Sequence, residues 1–396
     1  MSNSNAPSPT YAQEIAARVE AFVRTSVVPY EKDPRCGAHG PEEDLVRELR
    51  SHARAVGLLT PHVLSDGTHL PHADTALILR AAGLSPLGPV AVNVAAPDEG
   101  NMNLLGKVAT EDQKARFLKP LLDGVRSAFL MTEPSDENGA GSDPSLMRTT
   151  ARQDGNHWVI AGRKTFITGA QGASVGIIMA RTEAGDGRGA ATMFLVDLPH
   201  PAVRIERILD TIDSSMPGGH AVVAIDDLRI PADQILGEPH KGFEYAQVRL
   251  APARLTHCMR WLGACTRAHE IATDYACRRQ AFKRRLIEHE GVGFMLADNL
   301  IDLKQSELMV DWAARILDSG LPGTSETSMT KVAVSEALSR VADRCVQVMG
   351  ATGVSGDTIV EQVYREVRAF RIYDGPSEVH RWSLAKKIDR DWKASR

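Results

Sequence analysis

The chain has 396 residues, of which 43% are hydrophobic and 24% charged, as in a folded globular protein of two or three domains. A net charge of −4 argues against a main function of coating nucleic acid or an anionic membrane. Five scattered cysteines without a CxxC pair argue against a disulfide scaffold or a zinc finger, and they favour a cytoplasmic location. No apolar run reaches 18 residues, and we recognise no secretory or mitochondrial leader, so we expect no membrane association.

The pattern in the first third of the chain, from about residue 11 to 124, predicts helices separated by prolines. Apolar side chains recur there at the three- and four-residue spacing of a helix face. The two clearest stripes are Ile15, Val19, Phe22 and Val23, and then Leu45, Leu49 and Val56. We predict that both stripes face a core.

The residue pattern in the middle of the chain, from about residue 128 to 237, is typical of β-strands. Asp154-Gly155-Asn156 separates Arg148–Gln153 from His157–Ile160, which predicts a hairpin because Asp and Gly tolerate positive φ. Three further short β-favouring runs follow, at Val175–Met179, Thr192–Val196 and Ala221–Ile225.

From about residue 242 the pattern is helical again. Leu321-Pro322-Gly323 separates two long helices. Their predicted core stripes are Leu296, Leu300 and Leu303, and then Val334, Leu338, Val341, Cys345 and Val348. We therefore predict an α+β multidomain protein, with an N-terminal helical domain (1–127), a middle β-barrel or sandwich (128–237) and a C-terminal helical bundle (238–396).

A glycine-rich segment lies where the β region begins. Phe129–Pro134 is followed by Gly139–Asp143, where glycines permit close backbone approach to a ligand and Thr132 and Ser142 supply hydroxyl groups. Such a segment suits a flavin ring edge or a phosphate. A polar turn that binds nothing remains the alternative for this segment taken alone.

Together with four later blocks, this segment resembles the acyl-CoA dehydrogenase family. Those blocks are Lys164–Gly169, Ala281–His289, Gln347–Gly353 and Ile372–Arg381, and they occur in the order found in the family. Ala96–Met102 and Arg254–Arg260 are most similar to the branch of vertebrate members ten and eleven and their bacterial relatives.

The resemblance implies the fold of that family, in which the C-terminal domain is a four-helix bundle. It also implies FAD as cofactor, an acyl-CoA substrate, an electron-transferring flavoprotein as acceptor, and a homodimer or homotetramer. The family reaction takes a proton from the carbon α to a thioester while hydride leaves the β carbon for the flavin. The carboxylate base is expected in an apolar pocket that raises its pKa.

Roles for individual residues also follow from the resemblance. Residues expected to bind FAD within one chain are Phe129, Met131, Thr132, Ser142, Phe166 and Thr168. Arg279 and Phe282 would come from a neighbouring subunit, and the remaining cofactor positions are His289, Gln347, Gly350, Ala351, Pro376 and Glu378. The expected substrate positions are Ser142, Arg254, Gly375, Met102 and Asn101.

The base position is occupied by Asp374, where most of the family has Glu. Asp is shorter by one methylene, so either the loop or the substrate must lie closer, or Asp374 is a turn residue and not the base. The other family position for a base is Ala253, which cannot serve. We favour Asp374, and we interpret His220 and His257 as structural, although His257 could meet a polar acyl chain.

Other functions on the same fold remain open at this stage. The chain could process a 4-hydroxyacyl-CoA or act as a flavin oxidase or monooxygenase. A non-catalytic flavin-containing relative that binds nucleic acid is a further alternative, although its expected feature is a strongly basic C-terminal bundle. The basic run Arg278–Arg285 is interpreted mainly as a solvated helix end in which Arg279 alone is functional, with binding of a CoA or FAD phosphate as the alternative. The overall charge is acidic and no aromatic ladder accompanies the run, so we expect no nucleic-acid partner.

Overall fold

The N-terminal region is helical in the computed structural model, which describes residues 10–64, 67–135, 140–141, 143–183 and 189–396. Two of its segments, Val23–Val27 and Lys114–Leu118, are wider π-helical turns, and a small antiparallel pair joins β1 (Cys36–Gly37) to β2 (Gly40–Pro41). The helices are α1 (Tyr11–Phe22), α2 (Glu43–Ala55), α3 (His72–Ala82), α4 (Gly88–Ala91), α5 (Asp98–Val108), α6 (Glu111–Gln113) and α7 (Lys119–Leu122).

Local sequence explains where α1 and α2 lie. Thr10 caps α1 in a reciprocal arrangement with Gln13, and the stripe that begins at Ile15 is buried as predicted. Leu45 and Leu49 on α2 are also fully buried. Val56 is 49% exposed, so its assignment to the core was wrong: α2 ends at Ala55, and the helical period no longer applies to the next residue.

The middle region forms one eight-stranded sheet. Its strand order is β10-β7-β6-β4-β5-β9-β8, and β3 pairs in parallel with β6. The strands are β3 (Ser127–Leu130), β4 (Thr150–Asp154), β5 (His157–Thr168), β6 (Val175–Glu183), β7 (Gly189–Asp197), β8 (Val203–Leu209), β9 (His220–Pro231) and β10 (Ile235–Leu236).

The predicted hairpin is confirmed: β4 and β5 pair in antiparallel register, with Asp154 opposite His157 and Gly155 at a φ of +59°. β5 continues eight residues beyond the predicted end at Ile160. The predicted flavin block Lys164–Gly169 therefore lies almost entirely in this strand. β8 was not predicted because it is a largely exposed edge strand without an apolar alternation.

The C-terminal helices are α8 (Gly242–Arg278), α9 (Glu290–Asp318), α10 (Thr324–Met349), α11 (Val360–Phe370) and α12 (Ser377–Ala394). A short antiparallel pair, β11 (Gln280–Ala281) with β12 (Arg284–Arg285), connects α8 to α9. The whole α10 stripe from Val334 to Val348 is buried, as predicted. Leu300 on α9 is 60% exposed, so its place in the core was wrong; Asn299 beside it is the fully buried residue.

Helix α8 links the domains. It packs against α9, α10 and α11 in the bundle and against α3 and α5 of the N-terminal region. Its Arg260 donates to the carbonyl of Val94 at 3.0 Å. Side chains on one helix are therefore brought to the bundle and to the N-terminal region at the same time, close to where the β domain begins.

Candidate functional site

The loop between α11 and α12 holds Asp374 in a fixed backbone geometry. Arg254 Nε donates to the Asp374 carbonyl at 3.1 Å, and His380 Nε2 donates to the same oxygen at 3.2 Å. Lys331 Nζ donates to the Gly375 carbonyl at 2.7 Å. Groups from α8, α10 and α12 thus fix this loop.

Positive φ at two successive residues shapes that loop. Asp374 has a φ of +53°, which Asp tolerates better than most residues, and Gly375 has a φ of +102°. A Cβ at Gly375 would lie 2.7 Å from Nε2 of His380, so only glycine fits there. The backbone conformation of this loop therefore favours the Asp-Gly pair, and the Asp374 carboxylate is in addition available for chemistry.

The Asp374 carboxylate lies among positive charges. Its Oδ2 is 3.4 Å from His257 Nε2 and is buried without a hydrogen-bond partner among the described residues, while the side chain as a whole is 20% exposed. Burial raises the pKa of Asp374, but contact with His257 and the charges of Arg249 and Arg254 outweigh it, so the pKa lies well below its usual range. The expectation that an apolar pocket raises this pKa was wrong, because the pocket wall carries cations.

Arg249 is a buried cation near the same carboxylate. Its Nε donates to Asn101 Oδ1 at 2.8 Å, and its Cζ lies 4.1 Å from the centre of the Phe129 ring. Within the part of the chain that the structure describes, no carboxylate lies within 4 Å of the guanidinium, and its two terminal nitrogens donate to nothing. Burial therefore lowers the pKa of Arg249, although the charge of Asp374 opposes that effect.

The predicted substrate residues of α5 differ in their surroundings. Asn101 is fully buried and uses both ends of its amide, since Nδ2 donates to Ser127 Oγ at 2.9 Å. Met102 is also fully buried, in an apolar cluster with Leu104 and Phe117. Asn101 thus positions Arg249 and Ser127, while Met102 packs within the core.

Two of the predicted flavin segments are joined by a buried ion pair. Lys164 Nζ lies 2.9 Å from Glu133 Oε1 and donates to the Met131 carbonyl at 3.0 Å. The Thr165 amide donates to the Thr132 carbonyl at 2.9 Å. These bonds bring the segment after β3 alongside β5.

This joined surface exposes groups that could meet a flat ligand. Phe166 has a φ of +52° and is 58% exposed, which is unusual for an aromatic residue in a strand. Thr168 is half-buried, and its hydroxyl lies 2.9 Å from His220 Nδ1. His220 Nε2 in turn donates to Asp213 at 2.8 Å, so the histidine that we interpreted as structural orients the Thr168 hydroxyl. Phe129 and Met131 pack at the edge of a neighbouring core, and Thr132 is exposed.

The remaining predicted cofactor residues lie elsewhere on the surface of the single chain. Phe282 is 90% exposed on the β11–β12 turn, and its ring meets the ring of His289 at 6.1 Å between centroids. Five more of these residues are exposed: Arg279, Gln347, Gly350, Ala351 and Glu378. Pro376 precedes α12, and Ser142 lies outside the described residues.

The sequence did not identify Arg249, and from it we interpreted His257 as structural, whereas the structure places His257 Nε2 3.4 Å from Asp374 Oδ2. A usable signal was present: Arg249, Thr256 and Arg260 follow one another at spacings of seven and four, which place three polar residues on one face of α8. All three are buried. His257 lies three residues after Arg254, so both can approach the same loop.

Two negative findings apply to the described ranges only. No helix there is long and apolar enough to cross a membrane. Nor does that part of the chain contain a group of three or more His, Cys, Asp or Glu side chains that could hold a metal ion.

Comparison with known proteins gives consistent matches along the chain. Models of the acyl-CoA dehydrogenase N-terminal, middle and C-terminal domains match residues 10–125, 128–218 and 240–388. FadE2 of Mycobacterium tuberculosis, which carries the same family name, is 38% identical over 351 residues, covering 86% of this chain and 85% of that protein. A solved structure from Mycobacterium abscessus, also described as an acyl-CoA dehydrogenase, superposes with a TM-score of 0.87 and is 34% identical, covering 97% of this chain and 99% of that one.

The chain belongs to the acyl-CoA dehydrogenase family, and it has the fold that the sequence predicted. Within that family it is similar to FadE2 and to acyl-CoA dehydrogenase family member 11 of Gallus gallus, in agreement with the branch indicated by Ala96–Met102. The chicken protein is 35% identical over 395 residues, covering 94% of this chain. The chain spans about half the length of this vertebrate relative (50%).

Proposed function

We propose that the chain is an FAD-dependent acyl-CoA dehydrogenase that introduces an α,β double bond into an acyl-CoA thioester. The observation that carries the proposal is the Asp374 carboxylate, held by a loop that Arg254, His380 and Lys331 fix through backbone carbonyls. Its Oδ2 is buried. Its Oδ1 accepts no hydrogen bond from the described residues and is not buried as Oδ2 is. A free oxygen on a fixed carboxylate is what a general base requires.

Asp374 would take the α proton on Oδ1 as the α carbon–hydrogen bond breaks. The neighbouring cations keep the carboxylate ionised at neutral pH, so the base is present in its active form. A base of low pKa has a weaker driving force for the proton, and this must be offset by polarisation of the thioester carbonyl. The short Asp side chain further requires a closely held substrate.

The residues on the β domain fit a flavin. An exposed Phe166 ring offers a flat apolar surface, and the exposed Thr132 and half-buried Thr168 offer hydroxyl groups beside it. FAD, when bound, would supply the acceptor for the β hydride. We propose that these three residues bind the flavin in this way. We also propose the domain boundaries that the sequence predicted, after residues 127 and 237.

A homodimer or homotetramer is proposed as the working assembly. Phe282 is almost fully exposed, and a face of α9 exposes Phe294, Leu300, Ile301 and Leu308 at 54% or more. Exposed apolar side chains of this number usually mark a protein interface. Such an interface would give Arg279 and Phe282 access to the cofactor of a second subunit.

The proposed acceptor of electrons is an electron-transferring flavoprotein, in a pathway of fatty acid β-oxidation. The proposed location is the cytoplasm, since Cys258, Cys265 and Cys345 are buried free thiols and all five cysteines are unpaired.

The proposal is tested by purifying the protein, recording its visible spectrum and titrating it anaerobically with a panel of acyl-CoA thioesters. We expect a yellow protein whose flavin absorbance bleaches with at least one thioester. A colourless protein that FAD does not reconstitute would contradict the proposal. Slow reoxidation by air is expected, and rapid reoxidation would identify an oxidase.

A second candidate is the processing of a 4-hydroxyacyl-CoA, and Arg249 favours it. A buried guanidinium with unused terminal nitrogens is costly beside a plain alkyl chain but can donate to an oxygen on the acyl group. The panel should therefore contain matched straight-chain and 4-hydroxy thioesters. Bleaching by straight-chain thioesters alone would remove this candidate.

A further inference from the structure

His257 occupies a confined position between the proposed base and two aromatic rings. It is 5% exposed, and its ring centroid lies 4.8 Å from that of Tyr373 and 5.9 Å from that of Phe370. Its Nε2 is 3.4 Å from Asp374 Oδ2. Its Nδ1 is buried without a hydrogen-bond partner among the described residues.

The protonation of His257 follows from these surroundings. Burial lowers the pKa of His257, and the charge of Arg260 lowers it further, so the ring is neutral at neutral pH and carries one N–H. Among the residues that the structure describes, only Asp374 Oδ2 offers this ring an acceptor, and it lies next to Nε2. The tautomer with its hydrogen on Nε2 therefore points the one N–H of the ring toward Asp374 Oδ2, a buried oxygen that otherwise has no donor among the described residues.

We propose that His257 is a positioning residue for Asp374, a role that rests on the function proposed above. Its Nε2–H donates to Oδ2 and holds the carboxylate so that Oδ1 faces the α proton of the substrate. The proton taken from the substrate ends on Oδ1, and His257 keeps its own proton throughout. The 3.4 Å contact is longer than a good hydrogen bond, and we expect it to shorten when an acyl-CoA fills the site.

The shortness of Asp374 explains why such a partner matters. The carboxylate of Asp reaches less far than that of Glu. If it is turned away from the substrate, the short side chain has no further rotation with which to bring it back. A displacement of about 1 Å can cost a factor of roughly a hundred in rate. A fixed imidazole behind the carboxylate removes that freedom.

Several charged groups face this pair, and each contributes to its titration. Arg249, Arg254 and Lys331 interact electrostatically with Asp374, and Glu99 and Arg260 interact with His257. His380 from α12 and Tyr373 from the loop itself complete the surroundings. None of them contacts Oδ2 within hydrogen-bond distance in the described part of the chain, which leaves His257 as the group that can.

The test compares His257→Leu with His257→Gln. Leu keeps apolar volume but removes the donor, whereas the Gln amide can place an N–H near the position of Nε2. We expect flavin reduction by the best acyl-CoA to slow roughly tenfold to a hundredfold in His257→Leu and to stay within about threefold of wild type in His257→Gln. Equal slowing in both variants would assign His257 a packing role, and wild-type rates in His257→Leu would also overturn the proposal.

The pH profile gives a second readout that packing alone would not move. A hydrogen bond to the ionised carboxylate lowers its pKa, so loss of that bond should raise the pKa of Asp374. The acid limb of the reduction rate should then move to higher pH in His257→Leu and remain in place in His257→Gln. An unshifted limb in His257→Leu would contradict the proposed contact.

Imidazole NMR separates failure of this inference from failure of the proposed function. If wild-type protein bleaches with no thioester, the proposed function fails, but the 15N spectrum of His257 still reports its tautomer. We expect hydrogen on Nε2 and a lower pKa of His257 in Asp374→Asn, because the carboxylate charge is removed. Hydrogen on Nδ1, or a His257 pKa that does not respond to Asp374→Asn, would overturn the positioning role.

Discussion

Asp374 has three cationic or potentially cationic neighbours on α8 and no acidic neighbour in hydrogen-bond contact within the described residues. His257, Arg249 and Arg254 together lower the pKa of Asp374 despite its burial. The carboxylate is therefore ionised over the whole physiological range. In the proposed role of base, Asp374 would depend on position and substrate polarisation more than on a matched pKa.

Asp374→Asn should keep FAD but slow flavin reduction by roughly a hundredfold or more, because the amide cannot accept the α proton. Stopped-flow absorbance measures the rate, and the absorbance ratio of flavin to protein measures cofactor retention. Asp343→Asn, an exposed position on α10, is the matched control. Near-normal reduction in Asp374→Asn would remove this residue from the role of base.

Arg249→Gln should shift the acid limb of the reduction rate to higher pH. Arg249 stabilises the ionised form of Asp374, so loss of its charge raises the pKa of that carboxyl, and the base becomes protonated at a higher pH. Because the pKa of Asp374 lies well below its usual range, rates are measured from about pH 6 down to the lowest pH at which the protein stays folded, and Arg249→Lys keeps the charge as a control. Superimposable profiles for wild type and Arg249→Gln would exclude this influence.

The sequence allowed Asp374 to be predicted as the base and Arg254 as a substrate position, because both belong to blocks that resemble the family. Arg249 was not predicted, since an Arg on a long helix is usually solvated and its burial depends on packing against Phe129 and Gly100. The sign of the Asp374 pKa shift could not be predicted either. It depends on distances between charges that sequence spacing does not supply.

Among the elements, α11 is tied to the β domain by the buried carboxyl of Glu366 and by Arg365, whose guanidinium donates to the Ile212 carbonyl at 2.7 Å. The Ser214 amide donates to Glu366 Oε1 at 2.7 Å, and the Ser215 hydroxyl donates to Oε2 at 2.8 Å. Burial raises the pKa of Glu366 to about 7, and the nearby charge of Asp213 adds to that effect. Asp213 is the residue that holds His220 and, through it, Thr168.

Glu366 should make stability fall as pH rises. A carboxyl whose pKa is raised in the folded state binds more protons folded than unfolded, so its contribution is fully present below pH 4.5 and is lost as pH rises through about 7. The loss is on the order of 3 kcal/mol. Thermal unfolding at pH 5.5 and 8 should show a smaller difference in Tm for Glu366→Gln than for wild type. Equal differences would contradict this assignment.

The β11–β12 turn is the element on which the proposed shared cofactor site depends. Arg279→Ala should lower both FAD occupancy after gel filtration and the association of subunits, because an Arg fork suits a pyrophosphate. Arg278→Ala is the control, since Arg278 is paired with Asp274 on its own helix. Full occupancy and unchanged mass in Arg279→Ala would count against a shared site.

Elements with a strong local signal were predicted correctly, and those defined by their neighbours were not. The α10 stripe and the Asp154-Gly155 hairpin follow directly from residue spacing. The exposure of Leu300 reflects a face of α9 that the described part of the chain leaves uncovered. β8 forms only because β9 offers an edge with which it pairs.

For the whole molecule, the site is assembled from segments that are distant in sequence. The candidate base comes from the α11–α12 loop, its cationic neighbours come from α8, and the candidate flavin surface comes from β5 and the segment after β3. The order of helices, β domain and helices was predictable from the change of period along the chain. The meeting point of these segments was not, because long-range packing determines it.

In the proposed function, Asp374 removes the α proton of an acyl-CoA thioester. Exchange of that proton with solvent tests it directly: protein and thioester are incubated in D2O without an electron acceptor, and the α-proton signal is followed by 1H NMR. We expect loss of the signal with wild-type protein and no loss above background with Asp374→Asn. Equal exchange in both proteins would contradict it.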